Sequence, residues 1–528
     1  MKTNIYKIIT GFFIAGVFMS SCTKKLDVTP PNTSNSETVF ATPAGYKQVL
    51  AKVYSSYATT GNDGSGSGDI AGIDPGTSDF LRLYWKAQEL STDEAVVAWG
   101  DVGIQDFHRM NWTPNNPMLT GLYYRSYYQI TLANEFIRQS APDKVAARNI
   151  TGTDADNIKK YRVEARFLRA YQYWVLMDLF GSVTVPTETN LILDPPSAQK
   201  TRKQVFEYVE SELKAIEPDM IGPRLNEYGR ADRAAVWALL ARLYLNAEVY
   251  TGTARNTDAI TYSKKVIDGG YLLIDDYRNL MLADNNLNTS EFILTINYDG
   301  LKTQNFGGTT FLTHAAIGGD MSAANYGVNS GWGGTRTTKN LPLLFGDYSG
   351  SSDQRAQFFE GGQNIEIADL TKFKDGLAVT KYRNKKRNGS DGQDATYADI
   401  DFPLFRLPEM YLIYAEAVLR GGTGGDITTA VSYINKIRER AFGNVNNNIN
   451  SSGLTLNFVL DERARELYWE GQRRTDLIRY HRFTEGTYLW PWKGGVASGT
   501  SVGSFRNLYP IPAADINANP NLTQNPGY

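Results

Sequence analysis

Three aromatic side chains stand among glycines instead of in apolar runs: Trp332 in Asn329-Ser330-Gly331-Trp332-Gly333-Gly334, Phe306 in Asn305-Phe306-Gly307-Gly308, and Trp99 in Ala98-Trp99-Gly100-Asp101. Glycine neighbours leave a ring bare. A bare ring offers a negative π-face to the polarised C–H groups of a sugar and removes apolar area from water, while nearby polar groups read hydroxyls. Ordinary core or loop packing is the competing account of each ring. Three rings on one platform, at about 1 to 2 kcal/mol per stack by analogy with base stacking, predict roughly millimolar to ten-micromolar affinity once association costs are met. Sites that weak suit capture and hand-over, and a polymer gains by avidity across copies.

A second cluster is acidic. Asp399-Ile400-Asp401 places two carboxylates at i and i+2, and Asp284-Asn285-Asn286-Leu287-Asn288 adds hard oxygens. Calcium takes oxygen ligands from separate loops, so Asn286, Asp399 and Asp401 are candidate ligands of a structural Ca2+; solvated turns with Asx caps are the alternative. No cofactor is required by any motif. The three histidines, His108, His314 and His481, show no metal or triad spacing, and GxSxG, HExxH and a phosphate-cradling glycine loop are absent. A glycosidase needs only two carboxylates, which 56 acidic residues leave open.

These residues need a scaffold, and 528 residues at 42% hydrophobic can bury a large core. With 54 basic against 56 acidic residues and a net charge of −2, there is no basic surplus to neutralise phosphates, which argues against nucleic acid as a partner. Lys2 and Lys7 precede the apolar run Ile8 to Met19, and Ser20-Ser21 lead into Cys22. This reads as a signal peptide over 1–21. Cys22 is the only cysteine, so disulfides within the chain and zinc ribbons are excluded. Its position, before Thr23-Lys24-Lys25 and a Pro/Asn/Ser tether over 22–42, resembles a bacterial lipobox and makes it the candidate lipidation site. Acyl chains would hold the protein on a membrane without crossing it.

Helical spacing begins at Pro43. Apolar faces run through Tyr46 to Tyr57 with Thr42 as cap, Leu122 to Ile137, Phe167 to Leu179 closed by Gly181, Val205 to Ile216, and Val236 to Leu245 opened by Asp232. Later come Tyr411 to Leu419, Val431 to Ile437 opened by Asp426, and Phe458 to Trp469. Small residues such as Ala234, Ala235, Ala238 and Ala241 suit stacked helical hairpins, although no clean 34-residue repeat is present. Between Glu291 and Asp401 the texture turns to glycine, asparagine and threonine, with short strands expected at Phe292 to Ile296 and Gly376 to Lys381. Long loops of this kind carry function more often than filler.

Near the C-terminus, Glu462-Arg463-Ala464-Arg465-Glu466-Leu467-Tyr468-Trp469-Glu470-Gly471-Gln472-Arg473-Arg474-Thr475-Asp476 interleaves opposite charges at helical spacing. With Leu508-Tyr509-Pro510-Ile511-Pro512, Phe405-Arg406-Leu407-Pro408-Glu409-Met410-Tyr411 and Glu164-Ala165-Arg166-Phe167, it resembles the signature of the SusD/RagB family across essentially the whole mature chain. The charged signature itself reads as an ion-pair network holding helix to helix through Arg465, Glu466, Glu470, Arg473 and Asp476. The resemblance implies a mainly α fold: a tetratricopeptide-like helical-pair scaffold over 43–290, and an irregular, loop-rich region with minor strands over 291–528 packed on it as one globular unit. It also implies an outer-membrane, lipid-anchored, cell-surface lipoprotein, without enzyme activity, seated on a TonB-dependent (SusC-like) transporter.

The chain is most similar to the starch-binding branch, whose aromatic arc matches Trp99, Phe306 and Trp332, with Arg82 at a polar contact. It departs from that pattern at Val97, where a second tryptophan is expected, at Phe306, where tyrosine is expected, and at Val102, where an asparagine is expected and Asp101 stands beside it. The implied function is capture of starch or maltooligosaccharide and delivery to the transporter. A SusD-like binder of another glycan or of peptide cargo, a secreted glycoside hydrolase and a helical adaptor are the alternatives.

Overall fold

The computed structural model describes residues 36–191 and 194–528; the expected signal peptide, Cys22 and the tether as far as residue 35 lie outside them. Of residues 36–42, read above as tether, Phe40 alone is buried, while Ser36, Glu37, Thr38, Ala41 and Thr42 are exposed. Ser36–Val39 forms one helical turn, and Phe40 is buried edge-on against Tyr46 and Phe136. A phenylalanine with two aromatic partners at a helix entry gains more from leaving water than a tether gains from freedom.

Helix α1 spans Pro43–Ser55, with the Thr42 hydroxyl accepting from Gly45 N and proline in the first turn. Then come α2, Phe80–Glu89, capped by Asp79; strand β1, Val96–Val97; α3, Pro117–Gln139, capped by Asn116; and α4, Gly152–Phe180, stopped by Gly181 at φ 76°. Next are α5, Arg202–Ile216, opened by a capping box between Thr201 and Gln204; α6, Arg233–Leu245, capped by Asp232; and α7, Asn256–Ile267. Each of α3 to α6 packs on its successor, and α1 lies on α3 and α4. The alanines of α6 are fully buried, which lets neighbouring backbones approach. The scaffold is the mainly helical, tetratricopeptide-like one expected.

The second half contributes β2, Phe292–Ile296; α8, Gly308–His314; β3, Thr335–Arg336; β4, Phe402–Arg406; α9, Leu407–Leu419; α10, Ile427–Phe442; α11, Leu456–Leu467; and α12, Arg473–Arg479. Strand β2 pairs antiparallel with β4, from Phe292 opposite Arg406 to Ile296 opposite Phe402, with two register shifts. The strand expected over Gly376 to Lys381 shortens to Ala378–Val379. Helix α7 packs on α9, and α9 on α10 and α11. One apolar cluster runs from Phe40 to Ile511 and draws on both halves.

The charged signature is buried between these elements. Arg406 bonds Glu291, Glu466 and Glu470. Arg355 bonds Asp353 and Glu462, Arg440 bonds Glu291 and Glu466, and Lys381 bonds Glu470. Arg473 reaches Asp93, Asp476 joins Arg463 to Arg479, and the half-buried Arg465 pairs with Glu462. Burial alone would raise the Glu466 carboxyl; the guanidinium groups of Arg440, Arg406 and Arg355 reverse this and hold it below the ordinary range. These residues lock strands to helices and leave no face for a ligand.

Candidate functional site

Helix α2 supplies the first group. Of its ten residues only Arg82 is part-exposed; the other nine are buried. Its guanidinium sits over the Phe311 ring at 4.9 Å and the Trp99 ring at 5.7 Å, and its Nη1 donates to the Phe306 carbonyl at 3.1 Å. Its Nε has no partner among the described residues. Burial draws this guanidinium below its usual value, opposed by the carboxylates of Asp79, Asp101 and Asp74.

Trp99 and Trp332 are brought together by main-chain pairing across more than two hundred residues of sequence. Strand β1 runs antiparallel to β3, Val96 opposite Arg336 and Val97 opposite Thr335, and the ladder continues with Ala98 N donating to Gly334 O at 2.8 Å. Trp99 Nε1 then donates to the Trp332 carbonyl at 3.0 Å. The two indoles lie 6.4 Å apart at 44°. A Cβ at position 334 would sit 2.4 Å from the Trp99 ring, so this glycine permits a close approach in addition to leaving its neighbour bare. Behind Trp332 the His314 imidazole stacks at 4.7 Å and 24°, held through Nδ1 by the Ser330 carbonyl.

Phe306 completes the platform, 43% exposed, 6.3 Å from Trp332 at 56° and 5.5 Å from Tyr397. Arg82, Trp99, Asp101, Phe306 and Trp332 together line one shallow depression of about 430 Å³. All five residues named from the sequence therefore meet, on rings tilted in succession. The departures sort themselves by position. Val97 is fully buried in β1 and faces no ligand, whereas Val102 projects beside the exposed Asp101. Sequence reasoning did not find Tyr397, His314 or Phe311 as supports; nothing in their local spacing marks them, since each meets its ring through tertiary contact.

The acidic cluster lies elsewhere. Asn286, Asp399 and Asp401 line a separate cavity of about 580 Å³ with Asp284 and Asp299. Asp399 accepts from Gly300 N at 2.7 Å and from Gln393 N and Nε2 at 2.5 and 3.0 Å. Asp401 accepts from Tyr298 N and the Tyr228 hydroxyl, both at 2.8 Å. Burial, with Asp399 and Asp299 nearby, pushes the Asp401 carboxyl up to about 7. Among the described residues no three acidic, histidine or cysteine side chains gather as a metal shell. A third, largely apolar cavity of about 340 Å³ between α1, the Glu227–Arg230 segment and β2 contains none of the named residues.

Comparison with known proteins places this geometry in a family. Residues 348–528 match the profile of the SusD family, and residues 26–245 match a SusD-like profile described as starch-binding and associating with the outer membrane. The chain is 36% identical over its full length to the full length of the starch-binding protein SusD of Bacteroides thetaiotaomicron. It is 25% identical to SusD-like protein P2 of Formosa agariphila, covering 78% of this chain and 81% of that one. Among solved structures, a SusD homologue from Bacteroides thetaiotaomicron superposes with a TM-score of 0.74 at 18% identity, over 94% of this chain and all of the other. Surface glycan-binding protein A of the same organism, in complex with laminarihexaose, gives 0.70 at 21% identity, over 91% and 99% of the two chains. The chain belongs to the SusD family. Among the described residues no helix is long and apolar enough to cross a membrane.

Proposed function

We propose that this SusD family member captures starch or maltooligosaccharides at the outer membrane and delivers them to a TonB-dependent, SusC-like transporter, held there by lipid on Cys22 and performing no catalysis itself. The observation that carries the reading is the convergence of Trp99, Trp332 and Phe306 with Arg82 and Asp101 on one open depression. Successive tilts of 44° and 56° make a bent platform, which suits a polymer that coils. The part-exposed Arg82 guanidinium and the exposed Asp101 carboxylate border the depression as a donor and an acceptor for hydroxyls. The starch-binding relative supports the choice of α-glucan.

A second glycan has an observation in its favour: no indole stands at position 97, and a structural neighbour carries laminarihexaose. Calorimetry and affinity electrophoresis across maltoheptaose, starch, dextran, laminarihexaose, xylan and mannan decide between them. Starch binding that is lost in Trp332→Ala supports the α-glucan reading, and selective laminarihexaose or dextran binding overturns it. Reducing ends that accumulate from amylose after repurification would overturn the non-catalytic reading.

Structural calcium at Asn286, Asp399 and Asp401 is a separate proposal, supported by the one cavity that these three line together with Asp284 and Asp299. A melting temperature raised by calcium in the native chain but not in Asp401→Asn is the expected result; no calcium response in either removes the ion.

A further inference from the structure

Asp79 lies one turn before Arg82, is fully buried, and uses a single oxygen twice. Its Oδ1 accepts from Arg82 N at 2.7 Å, capping α2, and from Gly308 N at 3.0 Å, the first residue of α8. Arg82 and Phe306 flank these two amides. The loop between is clamped on its other side by Asn305, whose amide donates to Ala58 O and accepts from Gly307 N, and across its middle by the Arg82 bond to Phe306 O. Space is as tight as the bonding. A Cβ at Gly307 would lie 2.0 Å from the Asp79 carboxyl carbon, and one at Gly308, where φ is +55°, would strike the Tyr298 ring at 2.3 Å. Asp79 Oδ2 has no partner among the described residues, so the carboxylate is held for its geometry at Oδ1.

We propose that Asp79 is the positioning residue of the platform: one carboxylate oxygen, shared between the α2 cap and the α8 entry, fixes Arg82 and Phe306 relative to each other before any glycan arrives. The inference rests on the glycan-binding reading of that platform. Holding a ring in place beforehand lowers the ordering cost of binding, and a shared acceptor makes the two elements move together. Two substitutions separate its roles. Asp79→Ser keeps an N-cap but is too short to hold Gly308 as well, whereas Asp79→Asn keeps an oxygen able to accept both bonds.

The test pairs amide hydrogen exchange with maltoheptaose binding. In the native chain the Gly308 amide should be protected. In Asp79→Ser it should exchange at least tenfold faster while Arg82 N stays protected, the melting temperature should change little, and binding should weaken about fivefold to tenfold. Asp79→Asn should bind within twofold of the native chain. In a Phe306→Ala background Asp79→Ser should add almost no further loss, because the ring it positions is gone. Equal losses in both backgrounds, native affinity in Asp79→Ser, or an unprotected Gly308 amide in the native chain overturns the proposal. If the native chain binds no glycan the functional reading falls instead, and the exchange rates still decide whether Asp79 ties the two elements.

Discussion

Two regions of this protein use arginine beside acidic and aromatic groups, to opposite ends. Around Arg406 and Glu466 the charges are sealed from water and meet one another from several elements at once. Around Arg82 the guanidinium reaches only a carbonyl and two ring faces, and borders rings open to solvent. A buried charge must be satisfied within the fold, since stranding it costs far more than pairing it gains. A charged group at the rim of an open depression is available to a ligand. The contrast separates structural from functional polarity without reference to residue type.

The largest expected effect breaks the sealed side. Arg406→Met strands the carboxylates of Glu291, Glu466 and Glu470 and should destabilise by about 3 to 5 kcal/mol, measured by urea unfolding, while any folded fraction retains glycan affinity. Acid should act on the same side. Burial raises, and the facing cations more than offset, the carboxyls of Glu466, Glu470 and Glu416, leaving all three depressed. Depressed acids contribute stability that is present above the unfolded value of about 4.5 and lost as pH falls through the folded values. The melting temperature should therefore drop between pH 5 and pH 3. Asp401, at about 7, runs the other way: its contribution is complete below the unfolded aspartate value near 4 and is lost as pH rises through 7.

On the open side effects are smaller. Trp332→Ala should lose one stack, about 1 to 2 kcal/mol, or roughly fivefold to thirtyfold in affinity. It leaves the charge network untouched, so stability loss as large as that of Arg406→Met would dissolve the contrast. Phe306→Tyr should sharpen it: the π-face stays and a hydroxyl is added at an exposed edge, for a gain of at most about 1 kcal/mol on binding and no shift in the unfolding midpoint.

Much of the scaffold was legible because helix ends carry local chemistry. Thr42, Asp232 and Asp426 cap where they were expected to, and Gly181 stops α4. The first half of α4, Gly152 to Arg166, was not legible, since its residues are mostly exposed or polar and leave no continuous apolar stripe. Phe40 reads as tether in the sequence because its partners Tyr46 and Phe136 meet it only in three dimensions. The platform was legible as ring types set among glycines and through family resemblance. Its depth was not: Gly334 admits the Trp99 indole, and the β1–β3 pairing that enforces this is two residues long on each side, too short to announce itself in a sequence.

That brief ladder has a corollary. The distance between the residue 99 and residue 332 backbones is dictated by peptide groups at 96–98 and 334–336, whatever side chains they carry. Variants of this chain that exchange one ring for another at 99 or 332 therefore keep the spacing of the two, provided that position 334 stays glycine.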